Sequence, residues 1–338
     1  MYKKFSKPSS DLSKESDDWL LKDDEILFRT NEDIKNLSYL ANRETCLLCG
    51  TALEGAESFM HRSVDYICCR NCNHIQSVRI PASEAEFDQI YPPLNKKDWE
   101  KRRDRIYLPK LEWIEESLKI SMPKLSLKDL GWLDLGSGGG YFLGALKSKE
   151  YKDIKGIEEN SHLISRSNEF FQEELVFGLD KSEFYLNHSE TNIVTNWFVL
   201  EHLNDPWIIL NNLKNKPKGT LFAFSVPVFG FGTILEQVSE EYAARSLDGL
   251  VHRQIFTQQS IDFMLNKMNY KKVSDWTFGQ DSLDLKRLIL KKINKRSFSE
   301  GMLLEDIQNK VGSIVDPIQE VLDRADFSDA KHILSIKD

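Results

Sequence analysis

The sequence predicts an α/β protein, a doubly wound and mostly parallel sheet preceded by a small metal-binding module. Three observations carry this reading. From about residue 125 onward, short apolar runs alternate with amphipathic helical stretches. A glycine-rich turn joins the first of those apolar runs to the first helix. All five cysteines fall between Cys46 and Cys72.

Composition frames the elements. A chain of 338 residues with 41% hydrophobic content holds one large domain plus an appendage. No apolar run approaches the ~18–20 residues of a membrane span. The segment Met1 to Lys14 is lysine-rich and lacks the apolar centre of a secretory signal, so the expected location is the cytoplasm. In that compartment clustered thiols indicate metal binding rather than disulfides. The net charge of -8 opposes a nucleic-acid partner, because phosphate binding rewards excess Lys and Arg.

Residues 1–44 read as a polar arm in which Asn31 caps a short helix presenting Ile34, Leu37 and Ala41. Residues 45–82 hold Cys46-x2-Cys49 and Cys69-x2-Cys72, with 19 residues between the pairs. Paired knuckles at this spacing make a structural Zn2+ site, in which four thiolates close the tetrahedron and leave no open position. Gly50 and Asn73 supply the tight turn after each knuckle. Cys68 is the spare, since Cys68-x3-Cys72 is the poorer spacing, and His61 and His74 are substitute ligands.

Residues 83–124 form a helical linker. Its span 95–122 reads as one long helix, with Trp99, Ile106, Leu111, Trp113 and Leu118 among charges and Pro123 just beyond. Lys96, Lys97, Lys101, Arg102, Arg103 and Arg105 make it locally basic. Asp98, Glu100 and Asp104 relieve that charge, as on a solvated helix face.

Residues 125–338 form the main domain. Strands are expected near 131–135, 154–158, 175–178, 192–196, 219–225 and 271–276, with helices at 139–149, 160–172, 206–214 and 258–268. Residues 282–293 and 300–324 are also helical, and the run from Ala330 to Lys337 returns as a strand. The stretch 279–328 is therefore a helical insertion before the last strand.

In Trp132-Leu133-Asp134-Leu135-Gly136-Ser137-Gly138-Gly139-Gly140-Tyr141-Phe142, a strand ends, a glycine turn follows and a helix begins. Glycines let backbone approach a ligand, and the helix start offers free amides. A dinucleotide site wants G-x-G-x-x-G, and its third glycine would fall on Tyr141, which removes the NAD reading. Asp134, Gly136, Ser137, Gly138, Gly140, Tyr141 and Phe142 are the candidate cofactor-binding residues of this turn. Glu158 ends the second strand about 20 residues later, where a ribose-binding acid belongs.

The fourth strand runs Ile193-Val194-Thr195-Asn196-Trp197-Phe198-Val199-Leu200-Glu201-His202-Leu203-Asn204-Asp205-Pro206, with Asp205 and Pro206 opening the next helix. Ligands of open α/β sheets sit beyond the carboxyl ends of the strands. Asn196, Trp197 and Phe198 therefore belong beside the cofactor, and Glu201 and His202 beside the reacting group. A neutral imidazole near pH 7 suits His202 to take a proton.

These motifs resemble class I S-adenosylmethionine-dependent methyltransferases. The likeness lies in the G-x-G-x-G turn, in Val199-Leu200-Glu201-His202-Leu203 followed by Asp205-Pro206, and in Phe224-Ser225-Val226-Pro227. The segment His252-Arg253-Gln254-Ile255-Phe256-Thr257 is similar to the one before the family's next helix. The resemblance implies a Rossmann-like, doubly wound, seven-stranded methyltransferase sheet and S-adenosylmethionine as cofactor, its amino acid part wrapped by the glycine turn. It also implies that His252 lies over the substrate pocket, a third catalytic candidate beside Glu201 and His202.

The order of zinc module, linker and catalytic domain, over residues 45–278, resembles bacterial sugar and surface-polysaccharide methyltransferases. It implies a small polar acceptor of sugar type, nucleotide-linked or in a glycan. Gly-Ser-Gly replaces the Gly-Cys-Gly frequent in that group. The chain is too short for the second Rossmann-like domain of the sugar C-methyltransferases. Zinc-bearing rRNA or tRNA methyltransferases are the alternative, against which the acidic charge and the Glu-His-Leu run speak. A cofactor-binding scaffold without turnover is the other.

Overall fold

The computed structural model describes residues 1–9, 39–61, 64–81, 95–187, 191–239, 246–247, 252–294 and 302–338. Its strands are β1 (Tyr2–Phe5), β2 (Tyr39–Asn42), β3 (Glu57–His61), β4 (Val64–Cys68), β5 (Ile75–Ser77), β6 (Arg79–Pro81) and β7 (Gly131–Leu135). They continue as β8 (Ile154–Ile157), β9 (Val176–Phe177), β10 (Thr191–Trp197), β11 (Leu221–Pro227), β12 (Gln254–Ile255), β13 (Tyr270–Phe278) and β14 (Ala330–Lys337).

The main sheet has the order β1-β13-β14-β11-β10-β7-β8-β9. Its neighbours run parallel except at β14, which lies antiparallel between β11 and β13. Strands β7 and β11 are buried along their whole length, as continuous apolar runs covered on both faces must be. The winding reverses between β7 and β10, which opens a crevice at their carboxyl ends.

The sheet has eight described strands where seven were expected. Tyr2–Phe5 adds an edge strand parallel to β13, with Lys4 opposite Trp276. Those four residues carry no alternation that would mark them as a strand. The expected helix from Asn31 lies outside the described residues, except that Ala41 falls in β2.

The expected single helix over 95–122 is broken in character. Regular turns at Lys96–Arg102 and Leu108–Ser121 flank a π-helical segment, Arg103–Tyr107, where the Leu108 N–H reaches back to the Arg103 carbonyl. Pro109 has no N–H to offer and its ring crowds the preceding turn, so the wider segment absorbs it. Among the described residues, three helices, Asp281–Asn294, Met302–Ser313 and Val315–Arg324, lie between β13 and β14. The span expected as one helix over 300–324 divides at Ile314, three residues before Pro317.

The cysteine segment folds as the antiparallel strands β3, β4 and β5, and β12 from the main domain extends this small sheet beside β5. The Trp207 indole N–H donates to the carbonyls of Leu47 and Leu48, and the Lys267 ammonium also donates to Leu48.

Candidate active site

At the glycine turn, Gly136 and Gly138 both sit at positive φ, +69° and +55°. A β-carbon on Gly136 would stand 2.5 Å from Val199, so that glycine lets the fourth-strand loop pack against the turn. A β-carbon on Gly138 would meet nothing within 4 Å, so the second glycine faces open space. Glu158 borders that space: one carboxylate oxygen accepts the Gly138 N–H at 2.7 Å, and the other accepts the N–H groups of Glu159 and Asn160. Asp134 is buried beneath the turn and accepts a 2.6 Å bond from Thr195. Burial pushes its carboxyl up to about 7.

The linker helix is part of this turn. Trp99 donates its indole N–H to the Gly139 carbonyl at 2.6 Å, and Tyr141 stacks with Trp99 and Tyr107. Phe142, a cofactor candidate from sequence, turns into the core between Trp132 and Trp197 and supports the turn from below. The Ser137 hydroxyl is buried without a partner.

Beyond β10 the chain crosses the crevice. Asn196 donates to the Leu135 carbonyl at 3.0 Å, while its side-chain oxygen has no hydrogen-bond partner. Phe198 takes a left-handed conformation, φ 57°, which costs an aromatic residue energy and marks a site held in tension by its surroundings. The following turn, Leu200–His202, places Glu201 at 0% exposure with neither carboxyl oxygen hydrogen-bonded. Burial pushes Glu201 up to about 8. His202 Nε2 lies 3.9 Å from Glu201 Oε1, and the His202 and His252 rings stack with centroids 4.9 Å apart. Potential ligand atoms of all three side chains lie within 4.8 Å of one another. The Arg253 N–H donates to the Glu201 carbonyl, and Gln254 donates to those of Leu200 and Leu203, which ties the two loops together.

Sequence reasoning missed Lys110. The helix Leu108–Ser121 buries Lys110, Leu111, Trp113, Ile114, Ser117 and Leu118, so a lysine occupies the first position of its inward stripe. Its ammonium lies 4.4 Å from the centre of the Tyr107 ring, 4.6 Å from that of Trp197 and 5.6 Å from that of Phe198. Burial, reinforced by Lys7, holds its pKa well below the ordinary lysine range. A lone lysine at the head of an inward stripe that continues with Trp113 and Ile114 at i+3 and i+4 was the available signal.

A family described as "Methyltransferase domain" matches residues 102–275, more than half of the chain. The chain belongs to that family. It is a class I methyltransferase that uses S-adenosylmethionine, and the residues present suit that cofactor, with open space over Gly138 and a carboxylate at its rim.

No curated protein matches the methyltransferase. Among solved structures it is similar to a putative sarcosine dimethylglycine methyltransferase from Galdieria sulphuraria (14% identity, 72% of this chain and 91% of that one, TM-score 0.44). It is also similar to a SAM-dependent methyltransferase from Archaeoglobus fulgidus (15%, 67% and 94%, TM-score 0.37). A third is phosphoethanolamine N-methyltransferase 2 from Haemonchus contortus (15%, 78% and 62%, TM-score 0.38). No described helix of the methyltransferase is long and apolar enough to cross a membrane.

The four expected metal ligands come together. The sulfurs of Cys46, Cys49, Cys69 and Cys72 lie within 4.8 Å of one another, with Cys46 and Cys72 at 3.6 Å and Cys49 and Cys69 at 3.4 Å. Thiolates on one zinc ion stand about 3.8 Å apart, so this set fits the ion. Gly50 and Asn73 take positive φ, and their N–H groups close the knuckles onto the carbonyls of Cys46 and Cys69. Cys68 lies in β4 outside the cluster. His74 is bonded to Gln254, and burial lowers it to about 4.

Proposed function

We propose that this methyltransferase acts on a hydroxyl of a small polar acceptor of sugar type, nucleotide-linked or part of a glycan. The observation that carries the reading is the cluster of Glu201, His202 and His252 at the carboxyl end of β10. Bound S-adenosylmethionine supplies an already activated methyl group. What remains for the chain is to hold the two reactants in line and to remove a proton. A sugar hydroxyl is a poor nucleophile until a base draws off that proton. In this reading His202 is the base, Glu201 orients it, and His252 closes over the same pocket.

Roles on the cofactor side follow. The glycine turn at Gly136, Ser137 and Gly138 wraps the amino acid part in the open space over Gly138, and Glu158 offers its carboxylate to the ribose hydroxyls. Asp134, Gly140 and Tyr141 shape the turn, Phe142 supports it, and Asn196, Trp197 and Phe198 form the wall beside the methyl group. Residues 45–82 act as a structural zinc module whose Cys46, Cys49, Cys69 and Cys72 hold one Zn2+. The segment 83–124 is a linker that also buttresses the glycine turn, and residues 125–338 are the catalytic domain. The net charge of -8 disfavours an RNA acceptor.

The test is transfer of label from methyl-labelled S-adenosylmethionine to a panel of nucleotide sugars and oligosaccharides, with bulk rRNA and tRNA alongside. Label in a sugar acceptor supports the reading. Label in RNA alone replaces it, and S-adenosylhomocysteine binding without transfer to any acceptor points to a scaffold.

A further inference from the structure

Five strands place residues in one lateral row near the carboxyl edge of the sheet. Pairing sets Trp197 beside Ser225, Ser225 beside His332, His332 beside Trp276 and Trp276 beside Lys4. Residues paired in register share a face. The helix Leu108–Ser121 covers this face, since Trp113 contacts both Trp276 and His332 and donates its indole N–H to Ser274. Lys110, one turn earlier on the same helix, reaches Trp197 at the end of the row.

Three buried nitrogens in this cluster have no hydrogen-bond partner among the described residues. The Lys110 ammonium makes no hydrogen bond or ion pair with any described residue, and three aromatic faces leave its N–H groups unsatisfied. The Trp197 indole N–H has no partner. His332 Nδ1 lies 2.5 Å from the Ser225 hydroxyl while Nε2 has no partner. With Ser225 donating to Nδ1, the neutral ring carries its proton on Nε2. The Trp197 and His332 rings are 5.4 Å apart.

Charge points the same way. Lys7 lies over Trp276 and Phe278 in the same cluster, and Lys4 over Trp276. The carboxyls facing Lys110 are Asp134 and Glu201, both pushed towards the neutral form by burial. Buried donors left unpaired are costly, and so is a buried cation without a partner. A ligand bringing several acceptor oxygens and a negative charge relieves both.

Position separates this ligand from the cofactor. The glycine turn and Glu158 stand over β7 and β8, whereas the donor cluster stands over β10, β11, β14 and β13 on the other side of the crevice. We propose that the acceptor carries an oxyanion, a phosphate or a carboxylate, received by Lys110, the Trp197 indole N–H and the His332 ring N–H. The assignment rests on the methyltransferase reading and narrows its acceptor to an anionic one.

The test is calorimetric titration of pyrophosphate and of malonate, at fixed ionic strength, into protein saturated with S-adenosylhomocysteine. At least one anion binds the wild type, and Lys110→Met weakens that binding about tenfold or more. Trp197→Phe, which keeps the charge and most of the ring, weakens it by a smaller factor. Lys110→Met keeps its affinity for S-adenosylhomocysteine and melts no lower than the wild type, because an apolar side chain of similar length replaces an uncompensated charge. Binding of neither anion to the wild type overturns the proposal, as does equal anion affinity in wild type and Lys110→Met. Loss of S-adenosylhomocysteine affinity in Lys110→Met overturns it too, by giving the lysine to the cofactor's carboxylate. A wild type that binds both anions but no S-adenosylhomocysteine leaves the anion site standing and removes the methyltransferase reading.

Discussion

The cysteine cluster and the Glu201–His202–His252 cluster each gather potential ligands within the same 4.8 Å, yet they are built in opposite ways. The four cysteines lie on two hairpin-like knuckles, and each knuckle closes through its own backbone hydrogen bonds. The second cluster joins two loops separated by 50 residues and holds a buried carboxyl with no hydrogen bond. A local cluster is finished by what it binds and then stays closed. A cluster assembled across the sheet keeps unsatisfied groups, which is the condition under which a side chain can take up or give away a proton.

The sharpest way to break this comparison is to remove the metal. Structural zinc in small modules is worth about 10–16 kcal/mol. Cys46→Ser or Cys69→Ser should therefore take metal content from one zinc per chain to none and unfold residues 45–82, read by metal analysis and thermal melting. Cys68→Ser should keep its zinc. Loss of zinc from the Cys68 variant with retention in the Cys69 variant would reverse the ligand assignment.

On the catalytic cluster the expected loss is kinetic. His202→Gln should lower kcat by about 10²–10⁴-fold with S-adenosylhomocysteine affinity unchanged. His252→Asn tests the second imidazole in the same assay. If both variants match the wild type across a pH series, neither histidine is the base.

Gly138→Val should weaken S-adenosylhomocysteine binding on the order of a hundredfold, about 3 kcal/mol. The branched side chain would fill the open space over the turn and resist its left-handed backbone. Wild-type affinity in this variant would move the cofactor elsewhere, and NAD should bind no better than background.

The smallest effect is a slope. Glu201 is raised from 4.5 to about 8, so between those values the unfolded chain binds fewer protons than the folded one. The stabilisation is whole below pH 4.5 and is lost as pH rises through 8. Glu201→Gln should flatten the pH dependence of unfolding by on the order of 2 kcal/mol between pH 5 and 8. An unchanged slope would mean that Glu201 stays ionised in the folded state.

What could be read from the chain follows the same division. The glycine turn, the run from Asn196 to His202 and the two cysteine knuckles each occupy a short stretch, and local chemistry marks them. The helical stretch before β14 was legible because periodicity changes from helical to strand-like at Ala330. The joining of Lys110 to Trp197 and His332 was not, since it depends on which strands become neighbours. The edge strand β1 and the contribution of β12 to the cysteine sheet failed for the same reason. Four residues and two residues are too few to show a period, and only their partners define them.

Strand β14 has a consequence for how the molecule is made. It separates β11 from β13, which reach each other only through it. A nascent chain can pair β7, β8, β10 and β11 as they emerge, but β13 and its partner β1 have no link to those strands until residues 330–337 are delivered. Two of the eight described strands therefore wait through the synthesis of the helices before β14 with apolar edges uncovered, and that is the interval in which a ribosome-bound chain is exposed to mispairing and to chaperones.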